Sequence, residues 1–171
     1  ATARLAGIEI CRAYRMEHDV NYISAIPANV FGPGDDFSME NSHVVAALIR
    51  KMHEAKDRGN NIVEIWGSGK PRREFIYVDD LVDACMFLMK NYDDGVPINV
   101  GSGITRSIAE LAETIRKIVG FEGELEFDEG KPDGMPVKTL DAGPLFSLGS
   151  EMSISFETAV EETYNWFRSH H

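Results

Sequence analysis

A chain of 171 residues is long enough to bury a sizeable core as one ordinary domain, or to form part of a larger one. Its 43% hydrophobic and 26% charged residues exclude the disordered and fibrous classes, and no apolar run approaches the roughly 18 residues that a membrane span requires. The net charge of −11, from 17 Lys+Arg against 28 Asp+Glu, speaks against a general nucleic-acid binder and leaves room for a small anionic ligand only where basic residues cluster.

Residues 2–18 space Leu5, Ile8, Cys11 and Tyr14 by three, with charges between them, which predicts a helix buried along one side. Tyr22 to Ile26 is a β-rich run that Pro27 stops, and Gly32-Pro33-Gly34 marks a loop. Asn41 or Ser42 caps a helix that runs to about Arg58, where Gly59 closes it. Ile62 to Trp66 is the next strand, ending at Gly67-Ser68-Gly69. Phe75 to Val78 is another, followed by a helix that Asp79 or Asp80 caps and that continues through Lys90. After the turn Asp93-Asp94-Gly95, Pro97 to Val100 reads as a buried strand.

Ser107 and Glu110 have capping-box spacing, for a helix that reaches Val119 and stops at Gly120. Glu124 to Phe127 alternates as a half-exposed strand, and residues 131–136 form a loop. Ser155 caps a final helix carrying Phe156, Val160, Tyr164 and Phe167. Strands alternating with helices predict an α/β fold with parallel pairings. Cys11 and Cys85 sit in apolar periodic stretches without metal-ligand spacing, which predicts buried free thiols in a reducing compartment. With no basic-then-apolar leader at the start, the expectation is a soluble cytoplasmic protein.

A self-contained dinucleotide-binding domain carries Gly-x-Gly-x-x-Gly between its first strand and helix, and that pattern is absent from the 171 residues. Gly101-Ser102-Gly103 comes nearest, with Arg106 where the third glycine belongs. The chemistry-bearing residues lie instead in loops beside strand ends, where open α/β sheets take ligands. Asn29 is bracketed by Pro27 and Pro33, which fixes its amide for a ligand or for a rigid turn. His43, at a helix start, either exchanges protons with a substrate or is an exposed histidine beside a cap. Trp66 followed by Gly-Ser-Gly and Lys70-Pro71-Arg72-Arg73 offers an aromatic face and cations for a base and phosphates, or simply a solvated basic turn. Arg50 and Lys51 add charge nearby. Asp133, in Lys131-Pro132-Asp133-Gly134, bonds either a ribose or base edge or its own backbone. His18 and His53 lie in charged helical surroundings, and His170-His171 end the chain.

Taken together, Pro27-Ala-Asn-Val-Phe-Gly-Pro33, Asn41-Ser-His-Val44, Trp66-Gly-Ser-Gly69, Arg72-Arg-Glu-Phe75, Val78-Asp-Asp80, Ile98-Asn-Val-Gly101 and Lys131-Pro-Asp-Gly134 resemble, in order and interval, the GDP-L-fucose synthases. These are NADP-dependent epimerase/reductases of the extended short-chain dehydrogenase family. The resemblance spans nearly the whole chain and implies the C-terminal part of such an α/β enzyme. That part comprises the last strands and helices of a Rossmann-type sheet (1–34 and 75–103) and a smaller α/β nucleotide-sugar domain (35–74 and 104–171).

By that resemblance His43 matches the proton donor of the epimerisation and lies near the nicotinamide. Pro27, Ala28, Asn29 and Val30 match a segment that touches the cofactor, and Lys51, Trp66, Arg73 and Asp133 match positions that hold the GDP-sugar. Arg4 stands where the family's Tyr-x-x-x-Lys pair has its lysine, and the tyrosine would precede Ala1. Cys11 does not replace the family's second epimerisation residue. The resemblance therefore implies a GDP-sugar partner, NADP in the parent family but none held by this chain alone, and a homo-oligomer without nucleic-acid or membrane partners. Two alternatives stay open: a non-catalytic association module, and a fragment of a GDP-mannose dehydratase or UDP-sugar epimerase.

Overall fold

The computed structural model describes residues 2–38 and 40–171. In chain order the elements are α1 (Thr2–His18), β1 (Ala25–Pro27), β2 (Asn29–Phe31), α2 (Val44–Arg58), β3 (Ile62–Trp66), β4 (Arg72–Tyr77) and α3 (Val78–Asn91). They are followed by β5 (Ile98–Val100), β6 (Thr105–Ser107), α4 (Ile108–Val119), β7 (Glu124–Asp128), β8 (Val137–Lys138), α5 (Gly143–Ser147) and α6 (Phe156–His170). The alternation of strands and helices makes this the α/β chain that the sequence predicts, and none of the helices is long and apolar enough to cross a membrane.

Strand β4 organises the rest. It pairs with β2 and β8 in parallel and with β6 antiparallel, while β1 pairs with β5 and β3 with β7, both in parallel, as separate two-stranded sheets. Glu74, Phe75, Ile76 and Tyr77 are all buried, because β4 is covered on both faces and successive side chains point opposite ways. Phe75 and Tyr77 enter the larger core with Phe31, Ile49, Met52, Leu111, Ile115, Val160 and Phe167. Ile76 enters a smaller one with Ala84, Leu88, Ile98, Val100 and Leu145.

The helices of the larger core end as their sequences dictate. Ser107 and Glu110 close the capping box at the start of α4, with both reciprocal bonds made. Gly59 and Gly120 stop α2 and α4 in the left-handed conformation that glycine adopts without a Cβ clash. Ser155 caps α6 by accepting the Thr158 N–H.

Several expectations are corrected. No residue of α1 is buried; Leu5, Ile10 and Met16 are exposed because no other element covers its apolar side among the described residues. The first strand runs through Pro27, which a strand tolerates at its end, where a missing N–H breaks no later rung of the ladder. The stretch 27–33 is not all loop: Asn29–Phe31 is drawn into β2 by pairing with β4. His43 and Tyr77, rather than Asn41, Ser42, Asp79 or Asp80, occupy the N-cap positions of α2 and α3. Asp80 is instead buried in the first turn of α3 and accepts the backbone N–H and hydroxyl of Ser153. β4 begins at Arg72 rather than Phe75, since pairing with β6 and β8 extends it. Cys11 and Cys85 are half-buried thiols, and burial raises the pKa of Cys85.

Ile115 on α4 is fully buried, and α4 packs against both α2 and α6. Ile115→Ala should cost about 2–5 kcal/mol, read as a lower urea midpoint at unchanged slope.

Candidate functional site

The end of β3 and the start of β4 are joined by residues 67–71, and the strap 129–141 crosses in front of them. Trp66 closes β3 with its indole 65% exposed, an unusual state for the largest side chain. The Lys51 ammonium lies 5.6 Å from the ring centroid and that of Lys131 5.5 Å. Lys51, reaching over from α2, also donates to the Glu64 carbonyl at 3.2 Å.

Asp133 is the latch between strap and loop. One carboxylate oxygen accepts the Ser68 backbone N–H at 2.6 Å and the other the Ser68 hydroxyl at 2.7 Å. The Ser68 hydroxyl and N–H, helped by the charges of Lys70 and Arg73, hold its pKa below the ordinary 3.8. Gly67, at φ +86°, is required here: a Cβ would lie 2.5 Å from the Asp133 oxygen. Among the described residues the Arg73 guanidinium on β4 bonds only the neighbouring Arg72 carbonyl and lies against Gly134 of the strap, so it keeps donors for a ligand. The four residues Lys51, Trp66, Arg73 and Asp133 are thus brought to one place.

Glu74, next along β4, is 1% exposed, and its carboxylate accepts three bonds. Gly103 N–H donates at 2.9 Å, the Thr139 hydroxyl at 2.9 Å and Leu140 N–H at 2.8 Å. A buried carboxylate is tolerated only when so paired. Glu74 thereby fastens the far end of the strap and the 101–103 turn onto β4. A Cβ at Gly101 would collide with its Oε1. Gly101-Ser-Gly103 therefore seats a carboxylate and is no phosphate cradle.

Asn29 donates its amide to the Glu74 carbonyl at 2.7 Å and accepts from Lys138 at 3.5 Å, which ties the Pro27–Val30 segment to β4. Ala28 and Val30 pack beside the smaller core, and Pro27 is exposed. His43 is exposed at the start of α2; its charge helps lower the pKa of Asp36, behind the larger effect of the Ser38 hydrogen bonds. Arg4 is exposed on α1, and Ala1 lies outside the described residues. Neither the Arg4 nor the His43 side chain makes a hydrogen bond or ion pair among the described residues, so no such bond ties them to the Trp66 cluster. Arg50 is spent elsewhere, on Glu54 at 2.6 Å and the Phe37 carbonyl at 2.9 Å. Tyr77 gives its hydroxyl to Glu162 at 2.7 Å, and burial followed by that carboxylate pushes its pKa up, which keeps it protonated.

The NAD dependent epimerase/dehydratase family model matches residues 1–101. The chain belongs to that family. Among curated relatives in this epimerase/dehydratase family, GDP-L-fucose synthase 1 of Arabidopsis thaliana is 48% identical over 167 residues, 98% of this chain and 52% of that protein. The GDP-L-fucose synthase of Escherichia coli K12 is 43% identical over 176 residues, 98% of this chain and 55% of that protein. The chain thus spans about half the length of the curated relatives it matches. Among solved structures, the GDP-L-fucose synthetase of Naegleria fowleri bound to NADP superposes with TM-score 0.88 at 32% identity, over 95% of this chain and 53% of that one. The UDP-glucose 4-epimerase of Thermotoga maritima with UDP-glucose gives 0.83 at 26% identity, over 96% and 52%.

Sequence reasoning missed Glu74, Ser68 and Thr139. A lone glutamate inside Phe-Ile-Tyr-rich β sequence was the available signal for the first, since such a charge must be bonded if buried. Two outcomes are expected. Gly101→Ala should destabilise the chain by about 1–3 kcal/mol in chemical denaturation, since the methyl overpacks Glu74. The Asp133 pKa is depressed by folding, so its contribution is whole above 3.8 and fades as pH falls through the lower folded value. Melting curves of wild type and Asp133→Asn from pH 7 to 2 should therefore converge at the acid end.

Proposed function

We propose that the chain is the nucleotide-sugar-holding part of a GDP-L-fucose synthase-type enzyme. Such an enzyme epimerises GDP-4-keto-6-deoxymannose beside its ketone and then reduces the ketone with NADPH. The carrying observation is the convergence of Lys51, Trp66, Arg73 and Asp133 at one exposed edge. The indole offers a stacking face, the guanidinium a fork for phosphate oxygens, and Asp133 an acceptor for hydroxyl or base N–H groups. Seven cations, Lys51, Lys70, Arg72, Arg73, Arg106, Lys131 and Lys138, lie on or beside these elements in a chain of net charge −11.

In this reading His43 serves as the proton donor of epimerisation, Pro27–Val30 line the cofactor side, and Arg4 replaces the family lysine beside the nicotinamide ribose. Arginine keeps the charge of lysine but not its compact donor. Segments 1–34 and 75–103 belong to the cofactor-side domain, and 35–74 and 104–171 to the sugar-nucleotide domain. The protein works in the cytoplasm as a homo-oligomer, with NADP as the parent enzyme's cofactor. Alone, the 171 residues carry no Gly-x-Gly-x-x-Gly loop and hold GDP-sugar weakly without turnover.

Calorimetry should therefore detect GDP and GDP-mannose, with no NADPH oxidation; turnover by the isolated chain sinks the proposal. GDP should raise the melting temperature more than UDP, and the reverse order would favour a UDP-sugar epimerase. The exposed apolar side chains of α1, Leu5, Ile10 and Met16, favour a second reading, an association surface, which a clean monomer in light scattering would refute.

A further inference from the structure

Two ammonium groups lie over Trp66, and they are held differently. Lys51 is tethered to the Glu64 carbonyl. The Lys131 ammonium has no hydrogen-bond or ion-pair partner among the described residues beyond the ring itself. Its position follows from the backbone. Trp66 is the register partner of Asp128 at the end of the β3–β7 ribbon. The Asp128 carbonyl accepts the Lys131 N–H at 3.1 Å, and its carboxylate accepts the Gly130 N–H at 2.9 Å. That tight turn folds Lys131 back over the last residue of β3.

We propose that Lys131 reads the edge of the base and makes this site select a 6-oxopurine nucleoside diphosphate. The inference rests on the GDP-sugar reading above. An ammonium offers three donors and no acceptor. On one edge guanine and hypoxanthine present O6 and N7, two adjacent acceptors, whereas adenine pairs N7 with an amino donor. A base stacked on Trp66 takes the ring face, so the untethered ammonium moves from the face to the rim, where that edge lies. Adenine offers it N7 alone, beside an amino donor that repels it, and uracil a single oxygen. Lys51, held by Glu64, contributes charge without reading the base.

The test is calorimetric affinity for GDP, IDP, UDP and ADP with wild type, Lys131→Met and Lys131→Arg. Wild type should bind GDP and IDP alike and ADP about tenfold more weakly. Lys131→Met keeps the stem but loses the donors. It should lose about tenfold for GDP and IDP and less than about twofold for UDP and ADP, with the ligand-free melting temperature unchanged. Lys131→Arg, which keeps donors, should retain the preference. If wild type binds GDP but Lys131→Met keeps its GDP-to-ADP ratio, the assignment of Lys131 falls and the GDP-sugar reading stands. Equal loss for all four diphosphates marks a phosphate contact and likewise overturns it. No GDP binding by wild type overturns the reading and the assignment together.

Discussion

The buried carboxylate of Glu74 is the constraint on which the arrangement depends. It sits in the strand that both cores share, and a charge removed from water there persists only while its acceptor sites are filled. Gly103, Thr139 and Leu140 fill them from two segments distant in sequence. Satisfying one side chain thus decides where the 101–103 turn and the end of the strap must lie. With its far end fixed, and β8 paired alongside Arg72 and Arg73, the strap delivers Asp133 to Ser68.

Charge is sorted across this surface. The chain is strongly acidic, yet cations cluster at the exposed edge around Trp66, and Asp133 in their midst is held ionised by Ser68. Basic residues have carboxylate partners both at the edge, where Arg72 lies 3.2 Å from Glu110 and Arg106 3.7 Å from Glu157, and away from it. Arg50 is bound by Glu54, and Arg15 by Asp93 at 2.8 Å. Cations whose donors remain unfilled face the solvent where an anionic ligand has access, which is the arrangement electrostatic complementarity requires.

Much of this was legible from the chain itself. Helix ends set by local chemistry, at Ser107-Glu110, Gly59, Gly120 and Ser155, came out where propensity and capping place them, since those bonds close within a few residues. The tryptophan-plus-cation grouping was visible as a composition, and Lys51 joined it as nearby charge and through the family resemblance. What escaped was set by distant partners. Asn29–Phe31 becomes strand only because β4 lies beside it, and Val137–Lys138 likewise. α1 has the spacing of a buried helix, but periodicity reports only that a face is apolar, never that another element covers it. Glu74 was passed over because its three donors come from residues 103, 139 and 140, which no local window can bring near.

The strand order also has a mechanical side. Trp66 ends β3 in the β3–β7 ribbon and Lys131 follows β7 at the start of the strap, whereas Arg73 belongs to β4, in a different sheet. Residues 67–71 and the strap both run between ribbon and sheet, and the Asp133–Ser68 clasp joins one to the other. A molecule that touched both the indole and the guanidinium would bridge ribbon and sheet on their exposed side, adding to the link that Ile65 and Phe75 already supply through the shared core.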